Sequence, residues 1–215
     1  MVAAALRIVD EQGAQALSMR TLAQRLDSGT ATLYRHFGNR SELVAQVVDR
    51  VFSEVDHDDL GAMTWQEECK AFARRTFGAL RRHPNVAPLL VEQVPMGPYA
   101  VAGRERVIAL LLDNGFSPTL AARSFATVAR HVLGFAIQLT GPGDASASEE
   151  FRGLNPVDFP ATTRVADHLP VPLEDEFEFG LDLILLGLTE VQRRGSERGR
   201  ADQPTTRAGE AQKPI

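Results

Sequence analysis

Long apolar runs, cysteine and an excess of positive charge are what this 215-residue chain is short of, and each shortage removes a class of explanation. No apolar stretch approaches the roughly 20 residues that a helix needs to cross a bilayer, so no membrane partner is expected. One cysteine, Cys69, excludes an internal disulfide and fits a reducing, cytoplasmic setting. Met1–Leu6 has no basic leader before charge sets in at Arg7, Asp10 and Glu11, so no secretory signal is read there. Also missing are a glycine-rich phosphate loop, a His/Cys cluster at metal-ligand spacing and a nucleophile elbow. Asp167-His168 and the acids at 174–178 suggest a solvated face and no catalysis. The expectation is a chain that is not an enzyme, with no cofactor and no bound metal. Strand alternation is lacking as well. Apolar residues recur at helical spacing throughout, which predicts an all-α chain of roughly nine or ten helices.

What is present is unevenly distributed. The net charge is −5, yet residues 1–50 carry six arginines against five acids, leaving the deficit to the rest of the chain. Arg20, Arg35, His36 and Arg40 fall close enough in sequence to form one local basic patch, which an acidic body would leave usable. The same stretch reads LSMRTLAQRLDSGTATLYRHFGNR (17–40): a short helical pattern capped by Ser18, a turn at Asp27-Ser28-Gly29, a second short helix from Thr30 to Phe37, and Asn39-Arg40-Ser41-Glu42, which resembles a capping box opening a longer helix. A helix that enters the major groove needs small, hydrogen-bonding residues at its start so that its backbone can approach base edges. Gly29, Thr30, Ala31 and Thr32 are all small. Arg20 is long enough to reach a guanine edge, with Thr21 beside it. Tyr34, Arg35, His36 and Arg40 follow as candidate phosphate anchors, while Leu33 and Phe37, four apart, should face inward.

These residues resemble the N-terminal domain of the tetracycline-repressor (TetR) family of bacterial regulators. The family pattern of an Ala-rich first helix ending in Gly, then Leu-Ser/Thr-x-Arg-x-Leu-Ala, then Leu-Tyr-x-His-Phe/Val, corresponds to Ala3–Gly13, Leu17–Ala23 and Leu33–Phe37. The resemblance implies that Arg20, Thr30 and Thr32 read bases and that Tyr34, His36 and Arg40 hold phosphates. The chain departs from the pattern at the turn, where Asp27 and Ser28 replace the usual Gly and apolar residue. Met1 also falls at the family's first helix, without the basic residues that commonly precede it.

Beyond residue 50 the patterns predict helices from Thr64 to His83, Pro98 to Asn114, Pro118 to Thr140 and Leu173 to Arg193. A short apolar piece lies at Val86–Val94, and Gly141–Pro172 reads as mostly irregular, with a possible helix near Thr162–His168. Asn114–Gly134, Phe177–Gly187 and, more weakly, Thr64-Trp65-Gln66 resemble the tetracycline-repressor type of C-terminal domain. That implies a dimer in which the long helix near 117–140 and the last helix pair with their copies, with Phe177, Leu181, Leu185 and Leu188 at the interface. Trp65, Phe72, Thr76, Met96, Val128, His131 and Phe135 are the candidate ligand contacts, Trp65 and Met96 foremost. His131 aligns with a histidine that in this family can bind a drug's magnesium ion, and three roles stay open: lining a pocket, holding a metal, or packing. Cys69 is either a buried structural thiol or an oxidant sensor.

The expected organisation is therefore a three-helix helix-turn-helix DNA-binding domain at 1–50, its fourth helix continuing to about 55, a helical ligand-binding and dimerisation domain at 56–193, and a disordered tail at 194–215. The expected function is a ligand-responsive repressor that binds a palindromic double-stranded operator as a homodimer and is released by a small, partly apolar effector. The alternative is a helical small-molecule- or partner-binding protein with weak or no specific DNA binding.

Overall fold

The computed structural model describes residues 1–55, 63–141 and 145–201, all helix, turn or irregular chain without a strand. The polar stretch 56–61 and the end of the expected tail, 202–215, lie outside the described residues. Four helices form an N-terminal head: α1 (Val2–Gln12), α2 (Met19–Arg25), α3 (Thr30–His36) and α4 (Arg40–Phe52). The body holds α5 (Trp65–Arg82), α6 (Leu89–Glu92), α7 (Pro98–Asp113), α8 (Pro118–Gln138), α9 (Ala145–Arg152), α10 (Pro160–Arg164) and α11 (Leu173–Ala201).

Side-chain caps explain where several of these helices begin. Ser18 Oγ accepts the Thr21 amide at 3.0 Å, and Ser117 caps α8 ahead of Pro118 at its first position. Asn39 Oδ1 accepts the Glu42 amide at 2.9 Å, but the Glu42 carboxylate reaches back to the Gly38 amide, so the expected box is not closed on Asn39 itself. A closed box forms instead at Thr64 and Glu67, at the start of α5. The turn between α2 and α3 needs one left-handed residue, and Asp27 supplies it at φ 48°.

The head is built on Ile8, Leu22, Leu33, Leu43 and Val47, all fully buried. Each such side chain contributes about 1.5–3 kcal/mol relative to exposure. In the body α5 and α8 pack face to face, α7 lies against both, and α11 covers their other side. Close approach there depends on Gly180, because a Cβ at that position would sit 2.6 Å from the His131 ring.

Head and body are joined by polar contacts as well as by packing. The buried Asp49 of α4 accepts the Tyr99 and Ala100 amides through Oδ1, both at 3.0 Å, and so caps the start of α7 from another helix. A Cβ on Gly97 would overlap that carboxyl group. His83, just after α5, has Nδ1 3.0 Å from Asp10 Oδ2 and Nε2 3.3 Å from Glu54 Oε2, linking α1 to the segment following α4. Asn85 donates to the Asp10 carbonyl at 2.9 Å.

Three expectations are corrected here. The 141–172 segment is more helical than its Pro- and Gly-rich composition suggested: α9, α10 and a 3-10 turn at Ala166–His168 pack on one another around Ala166. The last helix continues through Ala201, so no break in the backbone marks residue 194, where the tail was expected to begin. Phe177, Leu181 and Leu185 do not face outward for a second subunit. They are buried within their own chain, because α5 and α8 already cover that stripe, and Leu188 is partly buried beside them. The face of α11 left open carries Phe179, Leu183 and Leu186.

Candidate DNA-reading face and effector core

The turn at 26–29 brings the starts of α2 and α3 to one side of the head. Arg20, Gly29, Thr30, Tyr34, Arg35 and His36 are exposed there, and Thr32 is half-buried. Leu33 and Phe37 face the other way into the core. Among the described residues, the side chains of Arg20, Tyr34 and His36 make no hydrogen bond or ion pair, so their polar groups remain available to a ligand. Thr21 is committed locally: its hydroxyl lies 2.7 Å from Ser18 Oγ. Arg35 donates to the Thr32 hydroxyl at 3.2 Å, which steadies both side chains on the exposed face of α3. Arg25 is held away from this face by Glu11 of α1 through a two-pronged pair at 2.6 and 2.7 Å, and that guanidinium lowers the Glu11 carboxyl below its usual range. Arg40 is the exception among the expected anchors. It is half-buried, with Nε donating to the Leu17 carbonyl and Nη1 2.8 Å from Glu92 of α6.

Small residues at a helix start with the Thr30 hydroxyl unbonded, an arginine with no partner among the described residues beside them, and phenol, imidazole and guanidinium groups nearby can hydrogen-bond base edges and phosphates at once.

In the body, the expected ligand contacts separate into three groups. His131, Phe135, Phe77 and Phe177 form one aromatic stack where α5, α8 and α11 meet: Phe77 lies on Phe177 at 4.3 Å, and His131 lies 4.8 Å from Phe135 and 5.1 Å from Phe177. His131 Nε2 is 2.9 Å from the Phe177 carbonyl oxygen, which can only accept, so Nε2 carries the proton and offers no lone pair to a metal. Phe72 approaches Phe125 at 6.4 Å, with the Arg104 guanidinium 5.7 Å from the Phe125 centroid. Trp65 is remote from both sets, buried edge-on against Phe116 at 4.9 Å. Thr76 and Val128 are buried between these groups, the Thr76 hydroxyl donating to the Phe72 carbonyl at 2.8 Å.

Met96 is 67% exposed beside the start of α7, and its Sδ lies 3.5 Å from Arg104 Nη1, the guanidinium that approaches Phe125 and also holds the Pro95 carbonyl. A shallow apolar crevice between α4 and α5, lined by Val51, Phe52, Val55, Thr76, Ala79 and Leu80, has no room even for a water molecule and is no drug-sized site in this arrangement. Cys69 is buried, and burial pushes its thiol up to about 12, so it is inert as a sensor in this state. Among the described residues no group of three or more His, Cys, Asp or Glu could hold a metal ion, and no helix is long and apolar enough to cross a membrane.

Sequence reasoning missed the residues that connect head to body. Asp49, His83 and Glu92 each sit in an unremarkable helical or loop context, and only the chain's return in three dimensions gives them partners. Gly97 before Pro98 was the one local signal, since glycine there reads as a site of close backbone approach.

Two known domain families match the chain. Residues 1–47 match the domain described as bacterial regulatory proteins, tetR family, and residues 58–192 match the tetracyclin repressor-like C-terminal domain. The HTH-type transcriptional repressor DrrR1 of Streptomyces coeruleorubidus is 32% identical over 91% of this chain and 78% of its own length. The apo crystal structure of ActR from Streptomyces coelicolor is 32% identical and superposes with a TM-score of 0.82 over 90% of this chain and 95% of its own. ActR in complex with actinorhodin superposes at 0.79, with 32% identity, over 89% and 95%.

Proposed function

Because the chain belongs to the tetracycline-repressor family of bacterial transcriptional regulators, we propose that it binds a palindromic operator as a homodimer and leaves it when a small, partly apolar effector occupies the body. The observation that carries this reading is the exposed face of Arg20, Thr30, Tyr34 and His36, which stands on a buried apolar core and whose side-chain polar groups have no partner among the described residues. Arg20 and Thr30, with Thr32, are the base readers; Tyr34, Arg35, His36 and, when it is free, Arg40 are the anchors.

Two further features support the assembly and the release. The open face of α11, with Phe179, Leu183 and Leu186, supplies an apolar surface for a second copy, which would set two reading heads on a two-fold axis. The half-buried Phe72, His131 and Phe135 lie between α5 and α8 beside a fully packed core, so an effector entering there must part those helices. ActR has been solved in complex with actinorhodin, and a small-molecule effector seated in the corresponding helical body is proposed for this chain. Release follows from the effector's different affinity for the two arrangements of the heads.

The test is fluorescence anisotropy of the full-length chain on a duplex selected from a random pool, over a salt series and with competitor DNA. A palindromic selected site bound by two chains, with affinity that survives competitor and falls with salt, is the expected result. Enrichment of no sequence, with binding abolished by competitor, overturns it.

A further inference from the structure

α6 is a single turn, yet its C-terminal end grips the start of α4 at two points. Arg40 presents Nη1 to Glu92 Oε2 at 2.8 Å and Nη2 to Glu92 Oε1 at 3.4 Å, while its Nε donates to the Leu17 carbonyl at 3.0 Å. Next along the chain, Gln93 Nε2 donates to the Ser41 carbonyl at 3.1 Å. The partners are 52 residues apart and belong to head and body respectively, so this is a latch between them and no local helix pair.

We propose that Glu92 is a competitor for DNA phosphate built into the chain: by occupying Arg40, the latched arrangement removes one anchor from each reading head. The inference rests on the assignment of Arg40 as an anchor in the proposed function. Carboxylate and phosphate take the same two-pronged seat on a guanidinium. With Glu92 in that seat, the charge of Arg40 is neutralised and a phosphate approaching it meets a carboxylate at hydrogen-bond distance from the same nitrogens. Both side chains are about 40% exposed, so the pair is weak and opens readily. DNA on Arg40 and the closed latch therefore exclude one another. An effector that binds the latched arrangement more tightly lowers operator affinity, and DNA lowers effector affinity by the same factor.

The experiment measures binding of the full-length chain to the selected duplex across a salt series, for wild type, E92Q, R40A and the R40A/E92Q double variant. Glu92→Gln keeps the shape and removes the charge. It should bind about three to ten times more tightly at low salt, and its log K against log salt should steepen by about 0.9 per head, one phosphate more. Arg40→Ala should bind more weakly than wild type, and adding Glu92→Gln to it should change nothing, since the competitor then has nothing to occupy. A merely structural role for Glu92 would move the melting midpoint and leave the salt slope where it was. E92Q with wild-type affinity and slope overturns the latch while the DNA-reading assignment stands. E92Q that binds more weakly overturns it too, because Glu92 would then be orienting Arg40 toward the phosphate. A wild-type chain that selects no duplex overturns the DNA-reading assignment and takes the latch with it.

Discussion

Head and body use their side chains in opposite ways. In the head, the groups proposed to meet DNA stand outside a small apolar core: Arg20, Thr30 and Tyr34 are exposed, and Leu22, Leu33 and Leu43 beneath them are fully buried. In the body, the groups proposed to meet an effector are in or against the core itself, with Thr76 and Val128 buried and His131 stacked on Phe177. Recognition and stability are thus separable in the head and fused in the body. The head can exchange its contacts while the fold stands; the body must loosen its packing to admit anything.

The contrast is broken most severely at the aromatic stack. Phe177→Ala removes a ring that packs against Phe77, His131 and Phe135, and should cost about 3–5 kcal/mol. Urea denaturation at fixed protein concentration reads this, and a loss below about 1 kcal/mol would mean the body is not built on that stack. Arg20→Ala should give the reverse pattern: operator affinity falls by about 1–3 kcal/mol with relaxed specificity at one position, while the unfolding midpoint stays within about 0.5 kcal/mol of wild type. An equal loss of stability would erase the separation claimed for the head.

Ser18→Ala probes a place where the head's two roles touch. Ser18 caps α2 and also bonds the Thr21 hydroxyl, so its loss should cost about 1 kcal/mol of stability, seen as a lower melting midpoint, with a smaller change in affinity of the folded chain. The smallest expected signal is the most direct check on the body's tightness. With its thiol raised to about 12 by burial, Cys69 should be on the order of one ten-thousandth thiolate at pH 8 and should not react with a maleimide until denaturant is added. Reaction in the native state, measured by mass spectrometry, would show the body opening on its own.

How much of this was legible beforehand follows the same line. The head was readable because its work demands particular residue types in a particular order: a cap at Ser18, a left-handed residue at Asp27, small residues at 29–32, then an aromatic-basic run. Each has a local cause, and each lies where the order implies. The body was readable as helices but not as a site, because Phe, Leu and Val serve core and pocket alike. Met96 was expected as a ligand contact, and its exposed place beside the start of α7 depends on the Asp49 cap, far away in sequence. The apolar stripe of α11 was assigned to a second subunit on the family resemblance, and its periodicity could not say what covers it; Phe177 and Leu181 are covered by α5 and α8. Arg40 was expected as a phosphate anchor, but its partner Glu92 was invisible until the chain returned to it.

One joint also carries a constraint on how such a chain can vary over time. The Asp49 carboxyl group fills the space where any side chain at position 97 would begin. Glycine at 97 therefore cannot be exchanged while Asp49 remains, and Asp49 can be exchanged only by giving up both amides at the start of α7. Either change alone lands on a less fit intermediate, so the two positions should be inherited as a pair. A lineage that escapes the pair must lose the carboxylate first, and only chains descended from that step could then carry a side chain at position 97.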